Sequence, residues 1–457
     1  MKFLSTRAPH GNRWKYLVPL AALAMVFASG DSASGQGILL PFAGPINQSM
    51  GGASTAAPID AAGAMFWNPG SISGLQCSEV SFGFGLLLPT TSVSSSVAPG
   101  ALGGGFPPVG LSGTTQSQPG VAAIPTMAFV KKLEDSAWTY GLGVYSLGGF
   151  STNYPASPFP AAGANPILTP QPPGGIGLGQ VYAQSQLYQV APTVACAVTD
   201  RLSIGVTPTI SFSYLSANPL VLAAPNPPVG AGGLPQYGNG FGSRVSWGGG
   251  VNLGLYYILS DAWHFGATIK SPQWFEPMRI NSQNQAGQPT QAKLDFQLPM
   301  VLSFGTAYTG FERLIIDCDL RYFDYSAARG FYQSGFQANG AVAGLGWNSV
   351  FGLALGAQYL LTDRFTVRTG YSYNGNPIPA AQSEFNVASP LIYQHIVSCG
   401  VSAKIASNVQ ANVAYSHAFQ NSITGPLYNP AFGALPGTSV TNTVSSDFLQ
   451  GGVSVLF

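Results

Sequence analysis

Past about residue 76 the chain alternates apolar and polar positions in runs separated by stretches rich in Gly, Pro, Ser and Asn. Val80, Phe82, Phe84, Leu86 and Leu88 fall on one side of an extended backbone, with Glu79, Ser81, Gly83 and Gly85 on the other. Trp138, Tyr140, Leu142 and Val144 alternate in the same way with Thr139, Gly141 and Gly143. A third run sets Leu294, Phe296, Leu298, Met300, Leu302 and Phe304 against Lys293, Asp295, Gln297, Ser303 and Gly305. A period of two predicts strands with one apolar face and one polar face. Such runs predict about 14 strands, each near the roughly 9–11 residues that a tilted strand needs to cross a bilayer.

The connections are of two kinds. Short polar turns fall at residues 131–136, 199–201, 259–262, 308–313, 360–364 and 404–408, and long loops near 89–121, 149–179, 217–242, 272–293, 326–346, 375–390 and 420–442. Bacterial outer-membrane barrels have short periplasmic turns and long outer loops, so both chain ends are expected in the periplasm. The last strand puts Leu449, Val453, Val455 and Phe457 on one face with Gln450, Gly452 and Ser454 opposite, a pattern that Phe448 and Leu456 interrupt. A terminal aromatic such as Phe457 looks like the signal read by the barrel assembly machinery.

Charge sharpens this picture. Only 7% of the 457 residues are charged, with 17 Lys and Arg against 16 Asp and Glu, whereas a soluble globular chain carries roughly 25%. No apolar stretch reaches the roughly 18 residues that a spanning helix needs. A membrane barrel satisfies both conditions. Residues 1–30 read as a signal peptide, with Lys2, Arg7, Arg13 and Lys15 before an apolar core and a cut expected between 30 and 36. Without them the balance turns slightly negative, and no nucleic acid partner is implied. Residues 77–457 are then expected to form the barrel, with 31–76 ahead of it.

The segment Ser49-Met50-Gly51-Gly52-Ala53, with Asp60 through Met65-Phe66-Trp67-Asn68-Pro69-Gly70, is too small-residue-rich and irregular for a wall strand. It resembles the hatch of the FadL family of outer-membrane channels, whose signature there is Asn-Pro-Ala; the third position here is Gly70. The resemblance continues through residues 247–256, Leu298-Pro299-Met300, Asp317-Cys318-Asp319-Leu320, residues 354–359, Arg368-Thr369-Gly370-Tyr371 and residues 413–417. It implies an all-β membrane protein: a 14-stranded antiparallel barrel with residues 31–76 as a hatch that plugs its lumen. It also implies passive uptake of long-chain fatty acids or aromatic hydrocarbons, released by hatch movement through an opening in the wall.

Two features bear on cargo. The loops at 89–121, 149–179, 217–242 and 420–442 contain no Asp, Glu, Lys or Arg but hold Phe106, Tyr154, Phe159, Ile167, Leu168, Leu220, Val221, Leu222, Tyr237, Leu427, Tyr428 and Phe432. They either capture a hydrophobic ligand or pack among themselves as a cap. Alternation also points Arg244, Lys270, Arg321 and Arg368 inward, where they could hold a headgroup or neutralise Asp295, Asp317 and Asp319. Arg321 and Arg368 suit the second role better. In the hatch, Asn68 and Pro69 could set a turn, and Met50, Met65, Phe66 and Trp67 offer apolar surface that either gates or simply packs.

No catalytic role, cofactor or metal site is expected. His264 is expected in the lumen, and His395 and His417 at the lipid side near the outer rim with Tyr393, Tyr415 and Phe419, as girdle residues. Cys77, Cys196, Cys318 and Cys399 show no paired spacing, so disulfides are not expected. The rival readings are a lipid-acting barrel enzyme, which needs Ser, His and an acid meeting at the outer rim, and a porin for polar solutes. A monomer in contact with outer-membrane lipid is expected.

Overall fold

In the computed structural model the described residues are 36–228 and 233–457. The expected signal peptide lies outside them. Strands β1 (Glu79–Val97), β2 (Leu111–Gln116), β3 (Ala122–Lys132), β4 (Trp138–Tyr154), β5 (Val181–Ala197), β6 (Leu202–Asn218) and β7 (Ser246–Ile258) form the first half of the wall. The second half holds β8 (Trp263–Lys270), β9 (Gln273–Phe275), β12 (Gln297–Leu298), β13 (Met300–Tyr308), β14 (Leu314–Asp324), β15 (Val350–Leu360), β16 (Phe365–Asn374), β17 (His395–Ala406), β18 (Val409–Asn429) and β19 (Gly433–Leu456). A hairpin of β10 (Met278–Gln283) and β11 (Pro289–Leu294) stands apart in an outer loop.

Three wall strands are broken: β2 and β3 share one position, β8 and β9 another, β12 and β13 a third. The result is a closed antiparallel barrel of 14 strands. β1 closes it against β19, paired continuously from Glu79↔Leu456 to Val97↔Thr438. Closure leaves no unpaired edge at that seam. The alternation does what lipid requires: Phe82, Phe84, Trp138, Leu302, Phe304, Leu449 and Phe457 are exposed outward, while Glu79, Ser81, Thr139, Gln450 and Ser454 are buried inside.

Several boundaries differ from the sequence expectation. β1 runs on to Val97 and β2 starts at Leu111, so the loop expected at 89–121 contracts. β18 and β19 likewise extend to Asn429 and from Gly433. Above the bilayer the outward face no longer meets lipid, and the apolar alternation inverts: Val93, Val97 and Val440 are buried inward. Pairing therefore persists where the pattern used to find it does not.

The run at 294–304 is not one strand. Pro299 has no N–H for the ladder, and below it Leu298 turns inward, fully buried, while Phe296 packs on Phe275 and Phe331 inside. Phe448 is explained in the same way. It shares the inward parity of Gln450 and meets Phe42 of the hatch edge to face, ring centres 5.2 Å apart.

Inside the wall lie a helix at Gly44–Ser49, a helix at Ala61–Trp67 and a 3-10 turn at Pro69–Gly74. All six residues of the first helix and all seven of the second are buried. Asp60 caps the second, its carboxylate accepting from the Gly63 N–H at 3.3 Å.

Candidate functional site

The floor of the lumen is built where the hatch meets β14, β8 and β16. Arg321 Nη2 donates to Asp319 Oδ2 at 2.7 Å, and Asp319 also accepts from the backbone N–H groups of Ser54 and Thr55 at 3.0–3.2 Å. Arg321 donates to the Gly52 carbonyl at 2.5 Å, and its guanidinium lies 3.3 Å from the centre of the Trp67 ring. A buried charge is tolerated only when it is paired and hydrogen-bonded; here both ion-pair partners also hold hatch backbone. Glu79 accepts from the Ala61 N–H at 2.9 Å at the start of the second helix. Arg368 donates to Gln358 Oε1 and Ser402 Oγ, both at 2.6 Å.

Asn68 performs three tasks. Its amide donates to the carbonyls of Thr55 at 2.7 Å and Leu255 at 2.9 Å, and its oxygen accepts from the Gly70 N–H at 3.0 Å. Pro69 follows at the first position of the 3-10 turn, where its fixed φ fits and no N–H is needed. Gly70 departs from the expected Ala for a visible reason: a Cβ there would lie 2.8 Å from the Gly254 carbonyl oxygen of β7.

Lys270 also meets the Trp67 indole. Its ammonium is 4.0 Å from the Phe66 ring centre and 4.4 Å from that of Trp67. Among the described residues it makes no hydrogen bond or ion pair. It lines a small cavity of about 30 Å³ with Met65, Asn252, Gln273 and Leu298. That cavity shares Leu39 and Leu40 with a second of about 80 Å³, walled by Ile124, Phe150, Leu391, Tyr393 and Phe448. Together they form a narrow apolar slot with one cation at its inner end.

The second cavity reaches the wall where β3 and β4 part. Their pairing stops at Thr126↔Tyr145, and bonding between the two backbones resumes only at Gln118 N–H to the Asn153 carbonyl, 2.8 Å. Pro125 removes a donor there, and β4 carries a bulge between Ser146 and Gly148. In place of β3, the N-terminal segment bonds to β4: Leu40 N–H to the Leu147 carbonyl at 3.0 Å and Gly149 N–H to the Ile38 carbonyl at 3.3 Å. Tyr325 anchors that segment, its hydroxyl donating to the Gln36 carbonyl at 2.7 Å and accepting from the Ile38 N–H at 3.2 Å. Gly37, at φ 64°, has no room for a side chain, since a Cβ would lie 2.5 Å from the Trp347 ring.

The roof is made by the outer loops. Ile167, Leu168 and Leu220 are buried in it beside Tyr154 at the end of β4, so these residues pack as a cap. The cap holds a half-open cavity of about 460 Å³ between loops following β4, β6, β14, β16 and β18. Glu384 lies in its wall, one carboxylate oxygen accepting from the Tyr428 N–H. Burial pushes Glu384 up to about 8 against that stabilising bond. Burial and the nearby Glu384 push the Tyr237 hydroxyl up to about 12.

The expected inward cations are thus not one group. Lys270, Arg321 and Arg368 face the hatch. Arg244 does not face the lumen: β7 begins only at Ser246, and Arg244 is exposed in the preceding loop, where its N–H bonds to the Arg279 carbonyl at 3.0 Å. Asp295 is also exposed, outside the lumen, because it belongs to the segment between β11 and β12. Met50, Met65, Phe66 and Trp67 are buried. At the outer rim His417 Nδ1 and Asp447 Oδ1 lie 2.8 Å apart, with Tyr415 donating to the same carboxylate at 2.6 Å. The N-terminal slot residues, Glu384 and the parted strands were not singled out by sequence. Two prolines, Pro119 and Pro125, flanking a glycine at 120 are the signal that marked the parting.

Known proteins place this architecture. The toluene transporter TbuX of Ralstonia pickettii is 19% identical, with 92% of this chain and 99% of that one covered at a TM-score of 0.64. A FadL homologue from Pseudomonas aeruginosa is 14% identical, covering 92% and 100%, at 0.67. The toluene transporter TodX of P. putida is 16% identical, covering 92% and 99%, at 0.61. No curated protein sequence matches. The model of the outer membrane protein transport family (OMPP1/FadL/TodX) matches residues 24–429, and with most of the chain so covered the protein belongs to this family of outer-membrane transport channels for hydrophobic compounds.

Proposed function

We propose that the chain takes up hydrophobic molecules bearing a hydrogen-bond-accepting headgroup, fatty acids or related compounds, by passive diffusion, and that Lys270 receives the headgroup. The observation that carries this is the unpartnered ammonium at the closed end of an apolar slot. Burying such a charge without an acceptor is unfavourable, and two aromatic faces offset it only in part, by roughly 0.5–2 kcal/mol each. A cargo oxygen would complete its coordination, with the tail along Leu39, Leu40, Phe150 and Tyr393. Arg321 and Arg368 are held by wall and hatch acceptors and serve as clamps rather than headgroup ligands. Met50, Met65, Phe66, Trp67, Asn68 and Pro69 hold the plug closed.

Release runs between β3 and β4 after residues 38–40 withdraw, because there the wall already lacks its ladder. The His417–Asp447 pair serves as an interfacial polar anchor rather than a catalytic dyad, since among the described residues no Ser hydroxyl bonds to His417. Phe457 engages the assembly machinery, and the barrel works as a monomer in outer-membrane lipid. The test is binding of a medium-chain fatty acid to protein in lipid nanodiscs, comparing wild type with Lys270→Met. The expected result is about tenfold weaker binding with normal folding. Unchanged binding would remove Lys270 from the site, and no binding of any apolar molecule by wild type would remove the uptake reading.

A further inference from the structure

We propose that Glu384 makes the roof cavity a capture site for hydrophobic carboxylic acids, in which its carboxyl group and that of the cargo share one proton. This rests on the uptake reading above and gives that cargo a binding site on the outer side. The cavity of about 460 Å³ falls within the roughly 300–1,000 Å³ of small-molecule sites. Its wall is mostly apolar, through Ile167, Leu178, Val221, Val342 and Leu427, and Glu384 is the one carboxyl group among its described lining residues. The turn at residues 380–386 that carries Glu384 is tied to β18 and β19. Ser383 Oγ donates to the Val440 carbonyl at 2.8 Å, and Asn442 Nδ2 donates to the Ser383 carbonyl at 2.7 Å.

One oxygen of Glu384 accepts from the Tyr428 N–H. The other has no partner among the described residues and is left to the cavity. Burial holds this carboxyl up to about 8, so at neutral pH it keeps its proton, and the free oxygen carries it. The group is then a donor. A carboxylate guest accepts from it in a charge-assisted bond, stronger than one between neutral groups. Above about pH 8 both groups would ionise, and two carboxylates so placed do not tolerate that.

No Lys, Arg or His lines the cavity to answer a carboxylate in place of Glu384. The loop after β6 brings Tyr237 and β18 brings Tyr428, while the loops after β4 and β14 bring no titratable side chain. The Tyr237 hydroxyl donates to the Gly340 carbonyl at 2.7 Å, and burial with Glu384 nearby keeps it neutral. Lys270 offers the next donor along the route. A carboxylate passing from Glu384 to Lys270 exchanges a shared proton for a full positive charge, so capture at the roof precedes firmer retention at the floor.

The experiment follows 4-hexylbenzoate and its methyl ester between about pH 6.5 and 9.5 by calorimetry, with the full chain in nanodiscs and empty nanodiscs as the blank. A Lys270→Met background removes the inner site, so that the roof is read alone. The benzoate should bind with level affinity up to about pH 8 and about tenfold more weakly at the upper end, because there binding has to take up a proton. The ester should show no trend. Glu384→Gln keeps an N–H donor that does not titrate, so the benzoate should lose its trend and, at the upper end, bind more tightly than with Glu384 present. Glu384→Leu should weaken the benzoate about tenfold at neutral pH and leave the ester unchanged or tighter. Heat-dependent gel mobility verifies that each variant is a folded barrel. Benzoate affinity that stays level across the range with Glu384 present, or a fall that persists in Glu384→Gln, overturns the proposal. If the ester binds while Glu384 has no effect on the benzoate, the proposal alone fails; if neither ligand binds even with Lys270 intact, the uptake reading fails with it.

Discussion

The floor and the roof of this barrel are both tightly packed, yet they are held by different physics. At the floor the hatch is fixed by directional contacts to charged wall residues: Asp319 on the Ser54 and Thr55 N–H groups, Glu79 on that of Ala61, Arg321 on the Gly52 carbonyl. At the roof, strand ends and loops pack an apolar cluster of Val93, Tyr154, Ile167, Leu168 and Val440, pinned at a few points by neutral side chains such as Asn165, whose amide donates to the Val93 carbonyl at 2.9 Å. Charge-assisted bonds fix one arrangement of a plug. The largely apolar roof leaves a cavity of about 460 Å³ that a foreign hydrophobic molecule can fill without breaking an ion pair.

That contrast can be broken most forcefully at Arg321. Arg321→Met leaves the Asp319 carboxylate buried beside Asp317 without its cation, which costs about 3–5 kcal/mol for a buried pair. The hatch is expected to undock while the wall stays closed, read as a rise in ion conductance across planar bilayers. Conductance equal to wild type would show that the floor does not depend on the ion pair. Gly254→Ala should act in the same direction with less force, because a Cβ there falls 2.1 Å from the Asn68 oxygen. Overpacking of this kind costs about 1–3 kcal/mol, to be seen as earlier proteolysis of the hatch.

At the roof the expected effects are smaller and depend on pH. Burial holds the Glu384 carboxyl up to about 8, above its ordinary value of 4.5, so the folded roof binds a proton that the unfolded loop gives up more readily. Its stability is full below about pH 4.5, falls as pH rises toward 8, and is level above. Hydrogen exchange of the amides at 380–386 should therefore quicken between pH 5 and 8 after correction for intrinsic rates, and Glu384→Gln should flatten the trend. A trend that survives the substitution would assign it to another group. Least of all should follow from Phe432→Ser: the side chain is 82% exposed at the β18–β19 turn, and a change within about 0.5 kcal/mol is expected in thermal unfolding.

Much of this was legible in the residues. Where lipid meets the wall, alternation marks the strands and their faces, and the turns fix the barrel's orientation. Reading failed where that solvent changes. Above the bilayer Val93 and Val97 turn inward, so paired backbone looked like loop, and Pro299 and the start of β7 shifted the parity that had placed Leu298 outward and Arg244 inward. Lys270, Arg321 and Arg368 were visible as inward cations, but their partners differ: Lys270 and Arg321 meet Trp67 of the hatch, more than two hundred residues away in sequence, while Arg368 bonds to Gln358 and Ser402 of the wall. Glu384 carried no pattern at all; only the loops folding over it give it a cavity.

The contact of Phe42 with Phe448 has a consequence for the order in which the molecule can be made. Phe448 belongs to β19, the strand that closes the barrel on β1, and its carbonyl accepts from Gln48 of the hatch at 3.0 Å. The plug leaves the ribosome first, yet the last strand to arrive finishes its binding surface. Sealing the cylinder and seating its stopper are therefore one event, and a chain truncated before β19 would lack both.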